Sequence, residues 1–151
     1  MPGFKGHALG GGALFALIVF AGALYPCYSK PQLFIWFVCT VLGSLFPDID
    51  TKSKGQKFFY GALAAVLVIL ALKHAYAALT CVAVIAFLPL LSDHRGIFHK
   101  WWFLFLVIGG STGGLLFLFP QAYTPIISGA AFFSVGVASH LLLDFGITRL
   151  F

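Results

Sequence analysis

The chain contains no glutamate, and its only acids are four aspartates, Asp48, Asp50, Asp93 and Asp144. Charged residues of both signs make up 9% of the 151 residues, against 61% apolar and 17% aromatic. Soluble domains carry about 25% charged residues, so this composition excludes an ordinary water-soluble domain. Cysteine is sparse too. The three present form no CxxC pair, and an odd count speaks against a disulfide framework. Cys39 and Cys81 sit in apolar runs, where a thiol behaves as a small hydrophobe, and Cys27 lies near a loop; no chemistry is assigned to them. The apolar runs lack period-two alternation, which argues against a β-barrel. There is no repeat, linker or low-complexity tract, and nothing resembles a nucleic-acid-binding module, so nucleic acid is not an expected partner.

What is present is hydrocarbon, arranged in six stretches: about Ala8–Tyr25, Gln32–Phe46, Phe58–Leu72, Ala75–Leu91, Trp101–Phe119 and Pro125–Phe145. A bilayer core of about 30 Å takes about 20 helical residues. The second and third stretches fall short of that, so either their polar ends extend the helix or the bilayer thins around them. The expected fold class is all-α, a polytopic membrane helical bundle of about six transmembrane helices forming one domain over residues 1–151. Ala21-Gly22-Ala23 resembles a signal-peptidase site. A single amino-terminal lysine, a long apolar run and a glycine-rich start favour retention of the first stretch as a span.

The acids fall in three islands: Pro47-Asp48-Ile49-Asp50, Asp93-His94-Arg95-Gly96-Ile97-Phe98-His99, and His140-Leu141-Leu142-Leu143-Asp144. An ionised side chain at the centre of a membrane helix costs about 2.5–3.5 kcal/mol on insertion scales, so such groups are rarely kept without a partner or a function. Threading six spans alternately through the membrane brings all three islands, and His7, to the side of the amino terminus. His74 lands on the other face and is a poor ligand candidate. Lys5, Lys52, Lys54, Lys57, Arg95, Lys100 and Arg149 share the island side, whereas Lys30 and Lys73 lie opposite. Cytoplasmic loops are enriched in Lys and Arg, so the island side, with both termini, is expected to be cytoplasmic.

His140 and Asp144 are spaced i, i+4, which projects both from one face of a helix. That spacing suits two ligands of one ion, or equally a histidine–carboxylate hydrogen bond locking the helix end. Asp48 and Asp50, at i, i+2, face one way in the extended or turn backbone that Pro47 favours; the alternative is a solvated loop capping the next helix. Gly96 permits a tight turn bringing His94 and His99 together, unless the segment is simply a charged interfacial loop. Jointly the islands and His7 offer as many as four histidines and four aspartates on one face. Imidazole and carboxylate suit Zn²⁺, and also Mn²⁺ or Fe²⁺, as one ion or two. A divalent ion lowers the pKa of bound water toward about 7. A carboxylate not used as a ligand, Asp50 or Asp93, is then the expected general base, and Arg95, with Lys52 or Lys54, the expected holder of an anionic group such as phosphate.

A histidine near the amino terminus, then Leu45-Phe46-Pro47-Asp48-Ile49-Asp50 with Ser53, then His94-Arg95-Gly96-Ile97-Phe98-His99, then His140-Leu141-Leu142-Leu143-Asp144 resembles, in that order, the YdjM-like family. These inner-membrane proteins are described as LexA-regulated or LexA-binding metal-dependent hydrolases. The resemblance spans nearly the whole chain, and implies His7, Asp48, Asp50, His94, His99, His140 and Asp144 as site residues. One departure is Lys100, where the family pattern usually has serine after its HRGxxH motif. More distantly, the helical bundle and HxxxD pair are similar to zinc-dependent phospholipase C and P1 nuclease enzymes, which points to phosphoester bonds.

The leading expectation is therefore a metal-dependent integral membrane hydrolase acting on a phospholipid or lipid-linked phosphoester. The alternatives are a metal-ion or proton transporter or channel, and a non-catalytic scaffold with a structural metal. Gly109-Gly110-Ser111-Thr112-Gly113-Gly114 reads as close helix packing, with homo-oligomer formation as the second reading.

Overall fold

The computed structural model describes residues 3–21, 27–50, 54–87 and 100–145, without the side chains of Asp50, Lys54, Cys81, Ile85 and Phe145. The described residues form six α-helices and no strand: α1 (Phe4–Ala21), α2 (Lys30–Leu45), α3 (Lys54–Leu72), α4 (Tyr76–Phe87), α5 (Trp101–Leu118) and α6 (Tyr123–Phe145). Short 3₁₀ helices follow α2 (Phe46–Asp50) and precede α6 (Pro120–Ala122). All the described helices except α4 are long and apolar enough to cross a membrane. The two stretches that looked short are completed by their polar ends. With its 3₁₀ extension the α2 span runs Lys30–Ile49, 20 residues, and α3 begins at Lys54 and has 19.

Lipid offers no hydrogen bonds, so these helices satisfy their polar groups internally. The hydroxyls of Thr40, Thr80, Ser111, Thr112 and Ser134 each donate to the carbonyl four residues earlier, at 2.6–2.9 Å. Ser29 precedes α2 in extended conformation, and Pro31 occupies its first turn, where a missing N–H costs nothing. At the end of α3, His74 N–H donates to Ala71 O and Ala75 N–H to Leu70 O, the paired bonds of a Schellman motif. The motif needs a left-handed residue, and His74 supplies it at φ 54° instead of glycine. Large apolar side chains such as Phe117 (87% exposed) and Leu72 (75%) face outward, as hydrocarbon surroundings permit.

Internal packing divides the chain into two compact units, residues 1–47 with 127–151, and residues 48–126. In the second, α3 packs on α4 and α4 on α5. The Tyr60 hydroxyl reaches Ala86 O at 3.3 Å, and Gln56 Nε2 donates to Ile49 O at 2.9 Å. In the first unit, α1, α2 and α6 share a core of Val19, Leu33, Trp36 and Phe132, flanked by Phe15, Ile18 and Cys39. Trp36 and Phe132 stack with centroids 4.6 Å apart.

Beyond this apolar layer the three helices of the first unit meet through backbone. A Cβ on Gly136 would lie 2.0 Å from Thr40 O and 2.7 Å from Ser44 N, and one on Gly43 would lie 2.1 Å from Phe133 O. A Cβ on Gly11 would lie 2.8 Å from the Ser44 side chain. These are glycines because no other residue lets the helices touch there. In the Gly109–Gly114 stretch, by contrast, a Cβ at Gly109, Gly110, Gly113 or Gly114 would meet no described atom within 4 Å. The expectation of close packing at that stretch finds no partner among the described residues. Small residues allow a close approach without creating one, and in this chain the approach is made by glycines scattered through other helices.

Candidate metal centre

His7 lies in the first turn of α1, and His140 and Asp144 lie in the last two turns of α6. Close packing of the helices brings the start of one beside the end of the other. His7 Nε2 stands 3.3 Å from Asp144 Oδ1, and His140 Nε2 stands 3.4 Å from Asp144 Oδ2. The imidazoles stack, with centroids 3.8 Å apart and planes 18° from parallel. One donor atom from each of the three residues falls within 4.8 Å of the others. Exposure is 1% for His7, 0% for His140 and 4% for the Asp144 side chain, so water does not compensate these groups.

His140 Nδ1 is 2.8 Å from Ser44 O. A carbonyl only accepts, so Nδ1 carries the proton, and in the neutral ring Nε2 turns its lone pair toward Asp144. A charge-assisted N–H···O bond measures about 2.7–2.9 Å, and the contacts to Asp144 are longer. Among the described residues, His7 Nδ1 and Asp144 Oδ1 have no hydrogen-bond partner. Buried polar atoms are rarely left so. Ligands bound at about 2.0–2.1 Å around a tetrahedral ion lie about 3.3–3.4 Å from one another, which matches both separations. The three side chains therefore form a group that could hold a divalent cation. The negative end of α6 and the positive end of α1 oppose each other here, so the charge facing a cation is that of Asp144.

The remaining expected site residues stand as follows. Asp48 is half-buried in the 3₁₀ helix Phe46–Asp50, and Asp50 ends that helix, with its side chain outside the described residues. The extended or turn backbone expected for this pair is thus a 3₁₀ stretch, in which i and i+3 align rather than i and i+2. The fixed φ of Pro47 suits such a helix, and near its start the missing N–H is not needed. Asp93, His94, Arg95 and His99 lie outside the described residues, as does Lys52. His74, set aside as a ligand, is exposed in the α3–α4 turn and bonds the Tyr76 hydroxyl at 2.9 Å. The reading of the sequence did not single out Ser44, Gly11 or Gly136. Their signal was available, because each glycine stands four residues from a site histidine.

A family model described as YdjM inner membrane protein matches residues 1–149. The chain belongs to this family. Membership makes it an inner membrane protein, in keeping with helices that can span a bilayer. It also agrees with the ordered set of motifs from His7 to Asp144. No curated protein and no solved structure matches the chain.

Proposed function

We propose that this chain is a divalent-metal-dependent membrane hydrolase whose substrate is a phospholipid or another lipid-linked phosphoester. One observation carries the reading: two imidazoles and a carboxylate, all buried, hold donor atoms at ligand-to-ligand separation with Asp144 Oδ1 otherwise unbonded among the described residues. His7, His140 and Asp144 would hold the ion, and Asp48, Asp50, His94 and His99 are the proposed further ligands. Zn²⁺ is the first choice, with Mn²⁺ or Fe²⁺ next. Such an ion supplies Lewis acidity and makes water nucleophilic at neutral pH. The chain's own contribution would be to keep the imidazoles oriented and to carry the balancing charge on Asp144; Asp50 or Asp93 is the proposed base, and Arg95 the proposed anion-binding group.

The meeting of residues 7 and 144 also bears on topology. An α1 that starts where α6 ends favours an even number of crossings, and α4 is the proposed sixth beside the five longer helices. The lysine and arginine distribution supports a cytoplasmic location for both termini.

Near-complete burial of the two histidines favours, as a second reading, a structural ion in a non-catalytic membrane protein, since structural sites are closed. A transporter is less well supported. The hydroxyls of Thr80, Ser111 and Thr112 donate to their own helices' carbonyls.

Elemental analysis of protein purified without chelators, followed by a panel of lipid phosphoesters, tests the proposal. The expected result is near-stoichiometric metal and phosphoester turnover, both lost in Asp144→Ala. Metal-free wild-type protein that also takes up no added Zn²⁺ would sink it. Bound metal without turnover on any phosphoester would leave the structural reading standing.

A further inference from the structure

The first unit is organised around one edge of α2. Thr40 and Ser44 are one turn apart and both fully buried. Gly11 of α1 presses on this edge at Ser44 and Thr40 O, and Gly136 of α6 presses on it at Thr40 O and Ser44 N. His7 is one turn before Gly11, and His140 is one turn after Gly136. The same edge that receives both glycines therefore sets how far apart the two imidazoles stand.

The edge also has a polar end. An α-helix leaves its last four carbonyls without intrahelical partners. In the last turn of α2, Gly43 O is taken by the N–H of Phe46, while Ser44 O receives His140 Nδ1 at 2.8 Å. The negative end of the helix dipole strengthens that acceptance. A neutral imidazole with its proton fixed on Nδ1 has only Nε2 left as a donor of electrons. Nε2 is the atom facing Asp144.

We propose that the Ser44 carbonyl, held in place by the Gly11 and Gly136 contacts, is a positioning group that locks His140 in the Nδ1–H tautomer and so makes Nε2 the metal ligand. Ser44 acts through its backbone, and Gly11 and Gly136 act by admitting no Cβ. The inference rests on the metal reading above for its consequence, but the tautomer itself is a property of the metal-free protein. A free neutral imidazole is under no such restriction. An Asp144 carboxylate acting alone would instead draw the proton to Nε2, so the carbonyl and the carboxylate make opposite demands on the ring.

Histidine-selective ¹⁵N NMR of the full chain in lipid nanodiscs, at a pH well above the ordinary histidine range, reads the tautomer directly. In metal-free Asp144→Ala, where no carboxylate competes, His140 is expected to remain protonated on Nδ1 alone. Protonation on Nε2, or a mixture of the two forms, overturns the proposal whether or not the wild type binds metal. If the tautomer is found as expected and the wild type takes up no Zn²⁺, the metal reading fails while the positioning role stands.

A second arm uses Zn²⁺ affinity by competition with a chromophoric chelator. Gly136→Ala is expected to weaken binding by about 10–100-fold, the usual consequence of losing a group that orients a ligand. Gly129→Ala is the control on the same helix, because its Cβ would meet only Cys39 Sγ at 3.7 Å, an ordinary contact, and its affinity should be unchanged. Wild-type affinity in folded Gly136→Ala overturns the proposal. Should that variant fail to fold, the tautomer measurement decides alone.

Discussion

Removing the ion should be felt as lost stability, and the size of the effect follows from what the site leaves behind. Without a cation, Asp144 keeps a buried carboxylate whose Oδ1 has no hydrogen-bond partner among the described residues. A ligand that binds only the folded state stabilises it by about 2.7 kcal/mol at one hundred times its dissociation constant. For a chain of this length, one kcal/mol moves the melting midpoint by about 2–4 °C, so saturating Zn²⁺ should raise it by about 5–10 °C over chelated protein. Differential scanning fluorimetry in detergent, with chelator and then with excess Zn²⁺, measures this. Asp144→Ala must abolish the response, because it removes the carboxylate that faces both imidazoles. Its own midpoint should lie at or above that of chelated wild type, since the uncompensated buried charge is gone. Equal midpoints with and without Zn²⁺ in the wild type would refute the reasoning, as would an undiminished Zn²⁺ response in Asp144→Ala.

Three further outcomes are expected. Gly43→Ala places a Cβ 2.1 Å from Phe133 O, a backbone atom that cannot swing away, so overpacking should cost about 1–3 kcal/mol in a reversible SDS-unfolding titration; wild-type stability there would contradict the α2–α6 crossing. His74→Gly should stabilise the chain by about 0.5–1 kcal/mol in the same titration, because glycine enters the left-handed region without Cβ strain, less whatever the exposed bond to Tyr76 contributes; a clear loss of stability would mean that bond outweighs the strain. In spheroplasts, a membrane-impermeant thiol reagent should label the exposed Cys27, between α1 and α2, and leave an introduced Lys5→Cys unmodified; the reverse pattern would invert the proposed orientation.

The class of this protein was legible from composition alone, because a chain with so little charge and such long apolar runs has no folded state that water would tolerate. The helix ends were largely legible too, and the two short spans resolved by the first of the two routes left open, recruiting Lys30, Lys54 and the Phe46–Asp50 turn. Spacing made the His140–Asp144 pair visible, since i, i+4 on a helix is a local geometric fact. Joining His7 to that pair rested on alternating the spans through the membrane and on family resemblance.

Which small residues make contacts was not legible. Gly109–Gly114 has the densest glycine cluster yet leaves open space among the described atoms where each glycine's Cβ would be, while isolated Gly11, Gly43 and Gly136 form the backbone crossings. Glycine content states where an approach is allowed; only the relative placement of α1, α2 and α6 decides where one occurs. Likewise no pattern in the chain marks Ser44 as a partner for His140, because the group involved is a main-chain carbonyl that every residue possesses. The amino-acid sequence determined the solvent, the helices and the stock of ligands. Tertiary packing alone decided which imidazole nitrogen faces the carboxylate, because that depends on an orphan carbonyl ninety-six residues away being brought within hydrogen-bonding distance.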